Sequence, residues 1–136
     1  MFADFQEKLP GDKVSILFPM VPKLLQADER VRENIGKLAV MKGPVVYCAE
    51  EADNGKDLHL LKLLPESKIY EENVIIGKTS FPALRMAAKK QIKEAPAATL
   101  YREFSAEKYE DVEVKLIPYF AWANRGENEM MVWLRK

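Results

Sequence analysis

GKLAVMKGPVVYCAEEADN, residues 36–54, holds two strand-like runs on either side of a Gly43-Pro44 step and ends in a turn signal. Leu38, Val40 and Lys42 alternate with Ala39 and Met41, and the run Val45, Val46, Tyr47, Cys48 is mostly apolar, as a strand covered on both faces is allowed to be. These are the marks of two paired, buried strands. Gly43 can take backbone conformations closed to other residues and Pro44 donates no hydrogen bond, so the ladder is expected to be interrupted or bulged there. Asp53-Asn54-Gly55 supplies residues that tolerate the left-handed turn needed to reverse the chain.

Working outward, the flanking sequence reads as further strands laid against this pair. On the N-terminal side, Met1–Pro10 has too few apolar residues to commit to structure. Val14, Ile16 and Phe18 share one strand face, and Pro22 precedes a short run, Lys23–Ala27, whose leucines predict partial burial. Asp28–Ile35 is densely charged and fits either one or two helical turns or a solvated loop. On the C-terminal side, Leu58–Leu64 reads as a strand closed by Pro65, Glu66–Asn73 as a polar connection, and Val74–Ile76 as a strand ended by Gly77. Phe81–Ala88 reads as a strand with Pro82 near its start, in competition with a helix favoured by Ala87, Ala88, Lys89, Lys90 and Gln91. Thr99–Phe104 is an apolar and aromatic segment. Val112, Val114 and Leu116 give the cleanest alternation, and Asn124–Asn128 reads as a hairpin-type connection to Met130–Leu134. The sum is an all-β, antiparallel β-sandwich, jelly-roll-like, of about eight or nine short strands forming one domain over residues 1–136.

A chain of 136 residues can bury roughly 70% of its unfolded surface, so a core needs no disulfide. Lys plus Arg and Asp plus Glu both number 21, giving a formal net charge of zero. Nothing in that balance collects phosphates or an anionic membrane, and Lys89-Lys90 is too short to be a basic patch, so neither nucleic acid nor membrane is an expected partner. No apolar run approaches the length of a membrane span, and no signal-peptide pattern is visible, which leaves the location open.

Few residues promise chemistry. Cys48 is the single cysteine and His59 the single histidine; a thiol in an apolar strand is usually an inert small hydrophobe, and a nucleophile would need a base held beside it. One Cys and one His are also too few ligands for zinc, so no metal or cofactor is expected. Glu50 and Glu51 could form a carboxylate pair for glycoside chemistry, but neighbours on a strand point to opposite faces, and solvation or a turn contact is the commoner state. The best binding candidates are Tyr119, Trp122, Asn124 and Arg125, because aromatic faces beside amide and guanidinium donors suit a sugar or an adjoining domain. The alternative is that the aromatics fill the core and Asn124 and Arg125 satisfy turn carbonyls.

Three blocks carry a resemblance to a known family: GDKVSILFP at Gly11–Pro19, the segment from Arg30 to Asn54 with its GP step, VYC and EEADN, and LIPYFAWANRGENEMMVWL at Leu116–Leu134. In that order they resemble the C-terminal β-sandwich region of glycoside hydrolase family 127, the β-L-arabinofuranosidase-like enzymes. The resemblance implies that sugar hydrolysis belongs to a separate helical barrel, with a glutamate acid/base and a zinc-associated cysteine nucleophile, and no catalytic residue is carried onto this chain. Cys48, Glu50 and Glu51 fall in the sandwich. The implied role is that of a non-catalytic accessory or interaction domain, not an enzyme on its own. Its expected partners are the barrel of the same or a neighbouring chain and a second copy in a homodimer. The rival reading is a carbohydrate-binding module for arabinose-containing glycans.

Overall fold

The computed structural model describes residue 15, residues 20–94 and residues 99–136. The strand expected around Val14, Ile16 and Phe18 and the stretch Met1–Pro10 lie outside the described residues. In chain order the strands are β1 (Pro22–Leu25), β2 (Lys37–Lys42), β3 (Val45–Glu50), β4 (Leu61–Leu63), β5 (Tyr70–Ile76), β6 (Thr79–Gln91), β7 (Tyr109–Pro118), β8 (Met130–Met131) and β9 (Leu134–Arg135), with one helical turn, α1 (Glu51–Asn54). All pairings among them are antiparallel except that of β4 with β9.

β2 and β3 form a hairpin in which Met41 faces Val46 and Lys42 faces Val45. Only Gly43 and Pro44 remain for the loop. Gly43 sits at φ 57°, and a glycine at the first central position followed by a residue of fixed negative φ suits a tight hairpin turn. The chain therefore reverses at the Gly-Pro step, where an interrupted or bulged ladder was expected. Away from the turn the two strands separate: β2 takes β1 and β9 as neighbours, while β3 passes to β7 at Tyr47 and Cys48 and to β8 at Ala49 and Glu50. Hydrogen-bonded neighbours run from β2 through β9, β4, β6, β7 and β3 back to β2. The sheet thus folds over on itself as an all-β sandwich, around a core that includes Leu38, Val40, Tyr47, Leu61, Leu63, Leu84, Met86, Val114, Leu116 and Leu134.

The longest pair, β6 with β7, runs in register from Leu84 opposite Leu116 to Gln91 opposite Tyr109. Leu84, Met86 and Ala88 are buried while Ala87 is exposed, so period-two burial overrides the helix propensity of this segment. Pro82 is accommodated because β7 begins pairing only at Leu84, leaving Pro82 with β5 alone as a neighbour. A proline costs no ladder bond on an open side.

Four expectations change. Glu66–Asn73 is not all connection: β5 starts at Tyr70 and carries Glu71, Glu72 and Asn73 as an edge strand with β6 as its partner, a place where charge is tolerated. Leu58–Leu60 forms a 3-10 turn ahead of β4. Residues 99–104 form no strand, and Leu100, Tyr101 and Phe104 stand 96%, 88% and 90% exposed. Residues 124–128 lead from β7 to β8, but β8 pairs with β3, so this connection is no hairpin. In the charged stretch Asp28–Ile35, a 3-10 turn spans Arg32–Asn34 and both Val31 and Ile35 are exposed.

Candidate functional site

Along β3, Tyr47 and Ala49 point into the core, so Cys48 and Glu50 point to the outer side. Glu50 is fully buried there. One carboxylate oxygen, Oε1, lies 2.8 Å from Nη2 of Arg125; the other accepts the Ala123 N–H at 3.2 Å and Nδ2 of Asn128 at 3.1 Å. Asp53, carried round by α1, takes Nη1 and Nη2 of the same guanidinium at 2.8 and 2.7 Å. Two carboxylates thus share one cation, and neutral N–H donors on Glu50 offset the surplus negative charge. The Asp53 bonds raise the Arg125 pKa above its ordinary value, burial opposes the rise, and the Glu50 bond adds to it.

Of the two expectations for Glu50, solvation fails, since the residue is buried, and the turn contact holds, since its carboxylate meets Ala123, Arg125 and Asn128. The strand ends at Glu50 and α1 begins at Glu51, so the two glutamates part company. Glu51 accepts the Glu129 N–H at 3.1 Å through Oε2 and donates its own N–H to the Glu129 carbonyl at 2.9 Å. Glu129 in turn accepts the N–H groups of Leu58 at 2.9 Å and Asp57 at 3.1 Å. Those bonds, Leu58 first and Asp57 second, hold its carboxyl below the ordinary value. Asn54 completes the lock: its Oδ1 accepts the Lys115 N–H at 2.8 Å, and its Nδ2 donates to the Lys115 carbonyl at 2.9 Å and the Glu50 carbonyl at 3.0 Å. A side-chain amide here serves β7 as a neighbouring strand would.

The lock fixes the loop that carries the aromatic candidates. Ala123 holds a left-handed φ of 67° while donating to Glu50, and Asn124 Nδ2 donates to the Ala121 carbonyl at 2.9 Å. Asn124 therefore satisfies a turn carbonyl, whereas Arg125 meets carboxylates. Tyr119, Phe120 and Trp122 do not fill the core; they are 46%, 65% and 38% exposed. Tyr119 and Trp122 lie with ring centroids 6.3 Å apart, and Phe120 sits 6.0 Å from Phe81 across the outer face. Beneath them Cys48, Ile76, Ile117 and Ala121 form a second buried cluster.

Cys48 belongs to that cluster. Burial, then the charge of Glu50, pushes its thiol up to about 12, so it is protonated at neutral pH and a poor nucleophile. His59 is exposed on the 3-10 turn Leu58–Leu60. Among the described residues no three His, Cys, Asp or Glu side chains gather as a metal site. Asp53, Asn54, Asn128 and Glu129 escaped the sequence reading because their partners lie more than 60 positions away. The available signal was that EEADN and NRGENE are both charged turn segments bordering apolar strands.

A sequence profile described as the glycoside hydrolase family 127 C-terminal domain matches residues 22–135. A non-reducing end β-L-arabinofuranosidase of Bifidobacterium longum subsp. longum is 32% identical over 91% of this chain, which spans 20% of that relative. Among solved structures, a family 127 β-L-arabinofuranosidase from Geobacillus stearothermophilus T6 is similar at TM-score 0.79 and 36% identity, over 90% of this chain and 19% of that one. A further family 127 β-arabinofuranosidase is similar at TM-score 0.72 and 32% identity, over 90% of this chain and 18% of its own. The chain spans about one fifth of the relatives it matches. With the profile covering 22–135 and the same fold found in these relatives, the chain belongs to the glycoside hydrolase family 127 C-terminal domain family.

Proposed function

We propose that this chain is a non-catalytic accessory domain that supports the sugar-hydrolysing part of a β-L-arabinofuranosidase-like enzyme through the surface of Tyr119, Phe120 and Trp122. One observation carries the reading. Three polar side chains beside those rings are spent inside the chain: Arg125 on Glu50 and Asp53, Asn124 on the Ala121 carbonyl, Asn128 on Glu50 and Gly126. What remains for a partner is chiefly aromatic faces, with Glu127 beside Trp122, which suits an adjoining protein surface. A glycan site would keep free donors and acceptors next to its aromatic platform, and this is why the carbohydrate-binding reading ranks second. The protonated, buried Cys48 thiol likewise gives the chain no activated nucleophile. Incubating the purified chain with an aryl β-L-arabinofuranoside tests the reading. No turnover is expected, and turnover that disappears in Cys48→Ser would overturn it.

A further inference from the structure

α1 ends on Asn54, and Gly55 follows it; of the asparagines in the chain, Asn54 alone precedes a glycine. The fold requires both residues. Gly55 sits at φ 77°, a backbone conformation that residues with a Cβ rarely adopt, and Asn54 spends its amide on both backbone groups of Lys115 and on the Glu50 carbonyl. Together they form a chemically labile step. A glycine leaves its own backbone nitrogen open to the preceding side chain, since no Cβ shields it, and asparagine is among the residues that degrade on heating. In the folded chain both reacting groups are tied down. The Gly55 N–H donates to the Glu51 carbonyl at 2.8 Å, and the bonds to Lys115 and Glu50, at 2.8, 2.9 and 3.0 Å, hold the Asn54 amide between β7 and the end of β3. The chain beyond is pinned as well, Lys56 through its carbonyl to Nζ of Lys90 at 2.6 Å and Asp57 through its N–H to Glu129 at 3.1 Å.

We infer that Asn54 is a modification site, closed while the domain is folded and opened by unfolding, with water as co-reactant and an aspartyl or isoaspartyl residue as product. In the opened chain the Gly55 nitrogen gives its proton to solvent and bonds to Cγ of Asn54. The Cγ–Nδ2 bond breaks, and Nδ2 leaves as ammonia with a proton returned from solvent. Water then opens the cyclic imide. Breaking the bond between the Gly55 nitrogen and Cγ gives an aspartyl side chain, whereas breaking its bond to the main-chain carbonyl carbon routes the backbone through Cγ. Neither product rebuilds the lock. A carboxylate brings no N–H to the Glu50 and Lys115 carbonyls and sets acceptors against acceptors, and the isoaspartyl link also inserts a methylene into the backbone. The same turn carries Asp53, which holds Arg125 at 2.8 and 2.7 Å, so conversion of Asn54 loosens the anchor of the aromatic loop. Time spent unfolded thus turns a reversible opening into an irreversible loss. This inference does not rest on the domain-support reading, because the chemistry needs no partner.

Tryptic mapping of the full chain tests it. The peptide of residues 43–56 contains no asparagine or glutamine besides Asn54, so any change of amide to acid in that peptide reports this residue. Samples held at mildly alkaline pH, one in buffer and one in guanidinium chloride, are compared by mass spectrometry over days. Conversion is expected in denaturant and at least about 10-fold slower in buffer, since a site reached only through an open form reacts in proportion to that form's population. After dilution from denaturant the converted fraction should melt at a lower temperature than the unconverted one, and Asn54→Asp should share the loss. The two wild-type rates decide even where Asn54→Asp does not fold. Equal rates in buffer and denaturant overturn the inference, as does an absence of conversion in denaturant. A converted chain that regains the original melting temperature also overturns it, by showing that the lock accepts a carboxylate.

Discussion

The guanidinium of Arg125 lies 2.8 Å from the carboxylate of Glu50, a residue 75 positions earlier in the chain and fully buried. That contact joins the end of β3 to the loop after β7, and with Asp53 it turns two charged turn segments into one rigid unit. A buried ion pair of this kind adds little net stability over an apolar replacement, but removing one partner strands the other. Arg125→Ala should therefore destabilise the chain by about 3 kcal/mol, read from the urea midpoint at constant m-value. The double change Glu50→Leu with Arg125→Met should recover much of that loss. A loss in the double variant equal to the sum of the two single losses would show that the pair is not coupled.

Asn54 makes a sharper test of the same region. Its amide satisfies both backbone groups of Lys115, so Asn54→Ala leaves a half-buried N–H and C=O unpaired, at a cost of roughly 1–3 kcal/mol. Hydrogen exchange at the Lys115 amide should accelerate in the variant, while exchange in the β6–β7 pair far from it stays slow. Unchanged exchange at Lys115 would remove Asn54 from the account.

The pH dependence has two limbs with opposite causes. Glu129 is held below its ordinary value of 4.5 by the Leu58 and Asp57 N–H groups, so its contribution is present above that value and is lost as pH falls through the lower, folded-state value. Glu129→Gln should flatten the acid limb of a stability-against-pH curve. Cys48 is raised from 9.0 to about 12, so its contribution is complete below 9.0 and disappears as pH climbs toward 12. Cys48→Ala should flatten the alkaline limb, and the native thiol should resist alkylation at neutral pH until the chain unfolds.

Much of the fold was legible because alternation reports burial directly. Val112, Val114 and Leu116 read as a strand and lie in β7, and Leu84, Met86 and Ala88 outweigh the helix-forming residues around them since each faces the core. The failures have physical reasons. Thr99–Phe104 reads only as apolar and aromatic, and apolarity alone cannot tell a side chain buried within its own chain from one left on the surface, where Leu100, Tyr101 and Phe104 stand. Tyr70–Asn73 looks like a connection because an edge strand tolerates charge. The site is half visible: Tyr119, Trp122, Asn124 and Arg125 stand out, but Glu50 reads only as solvated or in a turn contact, since nothing local in the sequence announces a buried partner 75 residues away.

Exposure of the aromatic loop predicts a contrast between the chain alone and the chain in its place. In isolation, Phe120→Ser and Trp122→Ser should shift stability by no more than about 0.5 kcal/mol each, as surface substitutions generally do, while reducing the binding of a hydrophobic dye. A large loss in the isolated chain would mean that these rings stabilise the domain itself.

The most direct measurement replaces the matching domain of the Geobacillus stearothermophilus arabinofuranosidase with this chain and follows thermal unfolding and turnover of the chimera. The account predicts an active chimera whose melting temperature and activity fall when Phe120→Ser and Trp122→Ser are introduced into the inserted domain. A chimera indifferent to both substitutions, in an enzyme otherwise folded and active, would contradict the claim that this surface supports the catalytic part.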